Sequence, residues 1–259
     1  MEDSINDLCH LLVQEKFLCY DEENSNYILT EMGKIASNIA EVHPILITLL
    51  LRKYKMFASF DLHEIISHQH RMLIDGELCE AADSETLDTI NPANAEVIKC
   101  FPDAADEDLD RAVRAAQYAQ PEWSSLSLDT RQQYLGEISK ILRTHSAELG
   151  ALDSLENGNV YSHMRHDAER GAFMLDYFCG IATELKGEST QVDNNLHYTR
   201  LEPYGVVAKL LPFNHPIQSL GAGIGSPLLT GNTIILKPSP HTTLSALRFG
   251  ELIKDVIPK

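Results

Sequence analysis

The sequence predicts an α/β domain with a doubly wound parallel sheet, preceded by a small all-helical segment. Three observations carry that prediction. GVVAKLL and NTIILK, at 205–211 and 232–237, are short aliphatic and β-branched runs suited to buried parallel strands. PIQSLGAGIGSPLLTG between them has the length of a crossover helix, with Gly231 to stop it. Residues 1–70, by contrast, repeat their apolar positions at three and four, the rhythm of helices burying one face.

In chain order, INDLCHLLVQEKFL reads as a helix, DEENSN as a polar turn, and YILTEMGKIASNIAEVHPILITLLL as a second helix with Thr30 placed to cap it. The texture changes near residue 70, which divides the chain into 1–70 and 71–259. From Arg71 two strand-like runs meet at Asp75-Gly76, a favoured hairpin turn, and Asn91-Pro92 marks another turn. DEDLDRAVRAAQYAQ opens a helix with an acidic first turn, which suits the helix dipole, and Pro121 is expected to end it ahead of Trp123. A second long helix is expected over about 128–156, closing at Asn157-Gly158, and a third over about 162–185, closing before Gly187. TQVDNNLHYTRLEP alternates like a strand pair. After the β-α-β unit, HTTLSALRFGELIKDVI supplies a last helix with Thr242 or Thr243 as N-cap.

Composition narrows the function classes. The 259 residues are 44% hydrophobic, enough for a real core, and the formal net charge of -17 argues against nucleic acid as a partner. No run approaches a membrane span and no secretory signal opens the chain, so the cytoplasm is the expected location and no membrane is expected as partner. Cys9, Cys19, Cys79, Cys100 and Cys179 show no CxxC spacing and read as reduced, mostly buried thiols. His63, His68 and His70, and again His163, His166 and Asp167, have tempting spacings, but solvated helix faces explain them better and no metal is expected. Gly221, Gly223 and Gly225 fail the GxGxxG pattern because Ser226 stands at its last position; they read as small residues that let a helix pack closely on the sheet.

In an open parallel sheet the ligand crevice lies beyond the carboxyl ends of the strands, where LPFNHP and KPSP both fall. Asn214 offers neutral N–H donors that keep their state at any working pH, suited to holding an oxyanion. Lys237 offers a flexible cation for ribose hydroxyls or a phosphate. The plainer alternative makes Asn214 a helix cap and Lys237 a solvated side chain.

Several segments then fall into a known order: Asn91-Pro92-Ala93, Trp123 with Arg131, LENGN, FMLDYFCGIATELKGE, EPYGVVAKLLPFNHP and LLTGNTIILKPSPHTTLSALRFGELI. Over residues 71–259 the chain resembles the N-terminal part of the aldehyde dehydrogenase superfamily. The resemblance implies a partial Rossmann-type NAD(P)-binding domain, a small oligomerisation hairpin, a homo-oligomer, and an aldehyde as substrate. It gives Asn214 the oxyanion-hole role, sets Leu211, Pro212 and Phe213 beside the nicotinamide half of the cofactor, and gives Lys237 the adenosine ribose, with Pro238, Ser239 and Pro240 in the same cofactor segment. Pro240 stands where many NAD-preferring members carry glutamate, which leaves both NAD and NADP open. The family's catalytic cysteine and general-base glutamate lie downstream of Lys259, so the chain is expected to lack them and to be inactive alone, with an unpaired sheet edge that favours aggregation. Two other readings stand beside this one. One is a non-catalytic interaction module. The other is an RNA-helicase accessory fragment, because 30–51 and FASFDLHEIISH resemble the C-terminal helical region of Ski2-like helicases, although no GxxxxGK[ST] is present.

Overall fold

The computed structural model describes residues 18–21, 26–29 and 62–258. The chain divides into two compact units, Met1–Leu62 and His63–Lys259.

In the first unit the described residues form an antiparallel hairpin of β1 (Leu18–Asp21) and β2 (Asn26–Leu29), with Leu18 opposite Leu29 and Asp21 opposite Asn26. This corrects the all-helical reading of 1–70. Residues 22–25 of the expected turn lie outside the described residues, and on either side of them the aromatic and β-branched residues Tyr20, Tyr27 and Ile28 favour extended backbone. The Thr30 cap and the helix expected through Leu51 lie outside the described residues, as does most of the helicase-like stretch.

The second unit opens within α1 (Leu62–Ser67). The residues just after this helix are tied into it. Lys99 Nζ donates to the carbonyls of Ile66 (2.7 Å) and His68, and the buried His70 donates its backbone N–H to Glu251. Then β3 (Met72–Ile74) and β4 (Glu77–Cys79) pair across Asp75 and Gly76, whose φ values of 55° and 71° are the left-handed pair such a two-residue turn requires. β5 (Thr86–Ile90) and β6 (Val97–Pro102) form a second antiparallel pair.

Four helices follow: α2 (Asp106–Ser125), α3 (Leu128–Thr144), α4 (Ser146–Asn157) and α5 (Tyr161–Ile181). Two expectations are corrected here. Pro121 does not end α2, which continues to Ser125 because buried Trp123 anchors its last turn by donating Nε1–H to the Leu228 carbonyl at 2.9 Å. The long 128–156 helix is broken at His145 (φ −98°, ψ 13°), giving α3 and α4; the latter ends as expected on left-handed Gly158. A short 3-10 turn, Ala182–Glu184, leads from α5 to the exposed antiparallel pair β7 (Ser189–Val192) and β8 (Asn195–Tyr198).

The β-α-β unit is present as read: β9 (Val206–Leu210), α6 (Pro216–Leu229) and β10 (Thr233–Lys237), with the strands parallel and Leu210 opposite Lys237. α7 (Leu244–Ile253) follows. The glycines of α6 serve a different surface from the one expected. A Cβ on Gly221 would lie 2.6 Å from Gly171 Cα, and one on Gly225 would meet Phe178 and Leu175, so both face α5; Gly223 alone meets the sheet, at Lys209. The core runs through α3, α4, α5 and α6 to Phe249 and Ile253 of α7.

Candidate functional site

The parallel ladder brings the two predicted loops together. Beyond the strand pair the Leu211 N–H donates to the Lys237 carbonyl at 3.0 Å, so residues 211–215 and 238–243 leave the same sheet edge side by side. Of the first loop, Pro212, Phe213 and Asn214 are exposed. Leu211 is not: its side chain is buried in the core and its N–H is taken by Lys237, which leaves the surface to its neighbours.

Asn214 does not cap α6. That helix starts from His215 with Pro216 in its first turn, where the missing N–H costs nothing. The backbone of Asn214 is held instead: its carbonyl accepts from Asn159 Nδ2 at 3.1 Å and Asn157 Nδ2 at 3.5 Å. Its side-chain amide has no partner among the described residues and is open to solvent. The backbone is thus held while the side-chain amide keeps its N–H donors available.

In the second loop Lys237 and Pro240 are exposed, and Pro238 and Ser239 half-buried. Ser239 Oγ accepts from His241 N–H at 3.3 Å, which leaves its hydroxyl hydrogen free to donate, while its carbonyl accepts from Thr242 N–H and Thr243 Oγ1. Thr243 does precede α7, but its hydroxyl caps nothing. The cap is the carboxyl group of Glu156, whose oxygens accept from Thr243 N–H at 2.9 Å and Leu244 N–H at 3.0 Å.

Glu156 is one of three buried acids beneath the loops, none of them singled out as a site residue from sequence. Asp153 Oδ2 accepts from Ile217 N–H at 3.1 Å, in the first turn of α6. Asp167 Oδ2 accepts from His215 Nδ1 at 2.6 Å, which removes it from the solvent-facing stripe expected with His163 and His166. Burial pushes the Asp153 carboxyl up to about 7 and the Glu156 carboxyl up to about 8, against the donors that pull both down. One signal was available in the sequence: ALDSLEN sets acids at i and i+3 among leucines of a helix that must bury a face.

No group of three or more His, Cys, Asp or Glu among the described residues is arranged to hold a metal. The described free cysteines, Cys79, Cys100 and Cys179, are poor nucleophile candidates. Cys179 lies twelve residues beyond Asp167 on α5, about 18 Å along the axis, and burial with nearby Asp176 raises its thiol.

A parallel β-α-β unit with two exposed loops at its carboxyl edge defines a Rossmann-type ligand-binding layer. Its lineage is settled by comparison: the chain belongs to the aldehyde dehydrogenase family, whose model matches residues 79–259. A curated relative, the aldehyde dehydrogenase tropH of Talaromyces stipitatus, is 38% identical over 201 residues, covering 76% of this chain and 39% of its own. Among solved structures, PnpE in complex with nicotinamide adenine dinucleotide matches with a TM-score of 0.71 and 36% identity, covering 74% of this chain and 40% of its own. A 3,6-anhydro-L-galactose dehydrogenase in complex with NADP matches with a TM-score of 0.69 and 28% identity, over 72% of this chain and 39% of its own. The chain thus spans about two-fifths of the length of these relatives.

Proposed function

We propose that residues 71–259 supply the cofactor-binding and oxyanion-holding part of an NAD(P)-dependent oxidation of an aldehyde to a carboxylic acid. The observation that carries this reading is the juxtaposition of the Asn214 and Lys237 loops at one sheet edge. The donors present fit a dinucleotide: an exposed ammonium at Lys237, a free hydroxyl hydrogen at Ser239, and the exposed surfaces of Pro212, Phe213 and Pro240. No carboxylate occupies position 240 to hold a ribose diol or repel a 2′-phosphate, so either NAD or NADP suits the site.

Bound there, the cofactor supplies a nicotinamide that accepts hydride. This chain's own contribution is Asn214, whose neutral side-chain amide donates to the oxygen that gains charge when the carbonyl is attacked. Asn159 and Asn157 hold its backbone, and the His215–Asp167 pair holds the next residue. The nucleophile is taken to come from outside the described residues. The working form is a cytoplasmic homo-oligomer; among the described residues no helix is long and apolar enough to cross a membrane.

Calorimetric titration tests the cofactor half. NAD or NADP is expected to bind the chain and to lose affinity in Lys237→Ala, and binding of neither would leave the interaction-module reading. Sustained NAD(P)H production from an aldehyde by the purified chain would instead place a nucleophile within it.

A further inference from the structure

We infer that Asp153 and Glu156, one turn apart on the buried face of α4, are positioning residues that fix the Asn214 loop and the Lys237–His241 loop relative to each other. This rests on the reading of those loops as the oxyanion and cofactor loops.

The connectivity is specific. Residues 211–215 end where α6 begins, and the Ile217 N–H in the first turn of that helix donates to Asp153. Residues 238–243 end where α7 begins, and its first two available N–H groups donate to Glu156. Both loops are therefore fixed at one end by the sheet ladder and at the other by a carboxyl group on α4. Asp153 also reaches across: Ser245 of α7 is fully buried beside it, close enough to favour its charged form though neither Ser245 Oγ nor Asp153 Oδ1 completes a strict hydrogen bond. Glu156 takes a third donor, Thr89 Oγ1 at 2.9 Å, which ties α4 to β5 and limits its own movement. The end of the same helix supplies Asn157, and Asn159 follows it, both on the Asn214 carbonyl.

Oxidation of an aldehyde needs the oxyanion donor and the hydride acceptor at a set separation, and displacements near 1 Å cost rate steeply. A single rigid helix touching the origin of α6 and of α7 sets that separation by side chains whose length is fixed. Ordinary capping would need only one carboxylate per helix from any neighbour. Here both come from adjacent turns of one element.

The experiment is amide hydrogen exchange on the full chain, for wild type, Glu156→Ala, Asp153→Ala and Glu156→Gln, together with NAD and NADP titration. Expected is exchange about tenfold faster at Thr243 and Leu244 in Glu156→Ala, with a rise also at Ile217, which Glu156 does not touch; Asp153→Ala gives the reciprocal pattern. Glu156→Gln keeps the shape and one carbonyl acceptor, so its rise is smaller, and it serves as the folded comparison should the alanine variant not fold. Dinucleotide affinity falls in the same order. Effects confined to the helix each residue caps would overturn the positioning role. Failure of the wild type to bind either dinucleotide would instead remove the reading of the loops, while the exchange pattern would still decide whether α4 couples them.

Discussion

Arg131 closes the ends of two helices at once. Its guanidinium donates from Nε to the Leu229 carbonyl at 3.1 Å, and from one terminal nitrogen to Ser124 at 3.2 Å and Leu126 at 2.7 Å. Those carbonyls terminate α6 and α2, where intrahelical partners run out. Lysine carries the charge but not the planar fork, so Arg131→Lys should lose at least one of the three bonds and destabilise the fold by about 2 kcal/mol, read from urea midpoints. The buried acids make a second prediction at this scale. Facing Glu156 are Thr89, Thr243, Leu244 and Asp153; facing Asp153 are Ile217, Ser245, Asp167 and His215. Burial raises both carboxyls, to about 7 and about 8, above the ordinary values of 3.8 and 4.5. Across that window the folded chain keeps protons the unfolded chain has released, so the stability tied to them is present at lower pH and lost as pH rises through the folded values. Melting temperatures of wild type are expected to fall from about pH 5 to about pH 9 relative to Glu156→Gln and Asp153→Asn, each carboxyl accounting for about 3–4 kcal/mol. His70, held at about 4 by burial, acts in the opposite direction below 6.5, and it is common to all three proteins, so the difference cancels it. Parallel curves would mean that the two carboxyls titrate alike in both states.

At the scale of elements, the crossing of α5 and α6 depends on two glycines in contact. Because a Cβ on Gly221 would meet backbone, at 2.6 Å from Gly171 Cα, nothing flexible can give way. Gly221→Ala should cost more than about 3 kcal/mol or prevent soluble expression. Gly136, inside α3 with nothing within 4 Å of its missing Cβ, is the control: Gly136→Ala should stabilise by about 0.5–1 kcal/mol through helix propensity. A denaturant series that ranked the two alike would refute the packing argument. These elements also show what the sequence reveals and what it withholds. The aliphatic runs of β9 and β10, the Asp75-Gly76 turn and the Gly158 stop are local signals, legible because backbone geometry and side-chain periodicity follow from neighbours in the chain. Pro121 inside α2 and the break at His145 were not legible, since the first depends on Trp123 reaching Leu228, over a hundred residues away. The candidate loops were placed correctly at one edge because parallel strands demand it. The acids beneath them escaped notice because a buried carboxylate is justified only by helix N-termini that tertiary structure delivers.

For the whole molecule, charge and exposed apolar surface oppose each other. The net charge of -17 keeps copies apart. Against it, Phe173, Tyr177 and Ile181 are exposed at intervals of four along α5, and Leu196, Tyr198, Leu201 and Tyr204 are exposed on β8 and the segment after it. Among the described residues the parallel sheet has only two strands, β9 and β10, so each offers backbone donors and acceptors on its outer edge. The apolar and hydrogen-bonding terms act at contact and are little affected by salt, whereas the repulsion extends over the screening length, about 30 Å at ~0.01 M salt and about 8 Å at ~0.15 M. Raising salt should therefore remove the barrier and leave the attraction. Sedimentation velocity over a concentration series is expected to give monomer at low salt and a rising weight-average mass at near-physiological salt, with Tyr177→Glu together with Leu196→Glu restoring monomer. A single monomeric species at every salt and concentration would show that these surfaces carry no self-association, and with it the proposed homo-oligomer would lose its physical basis in this chain.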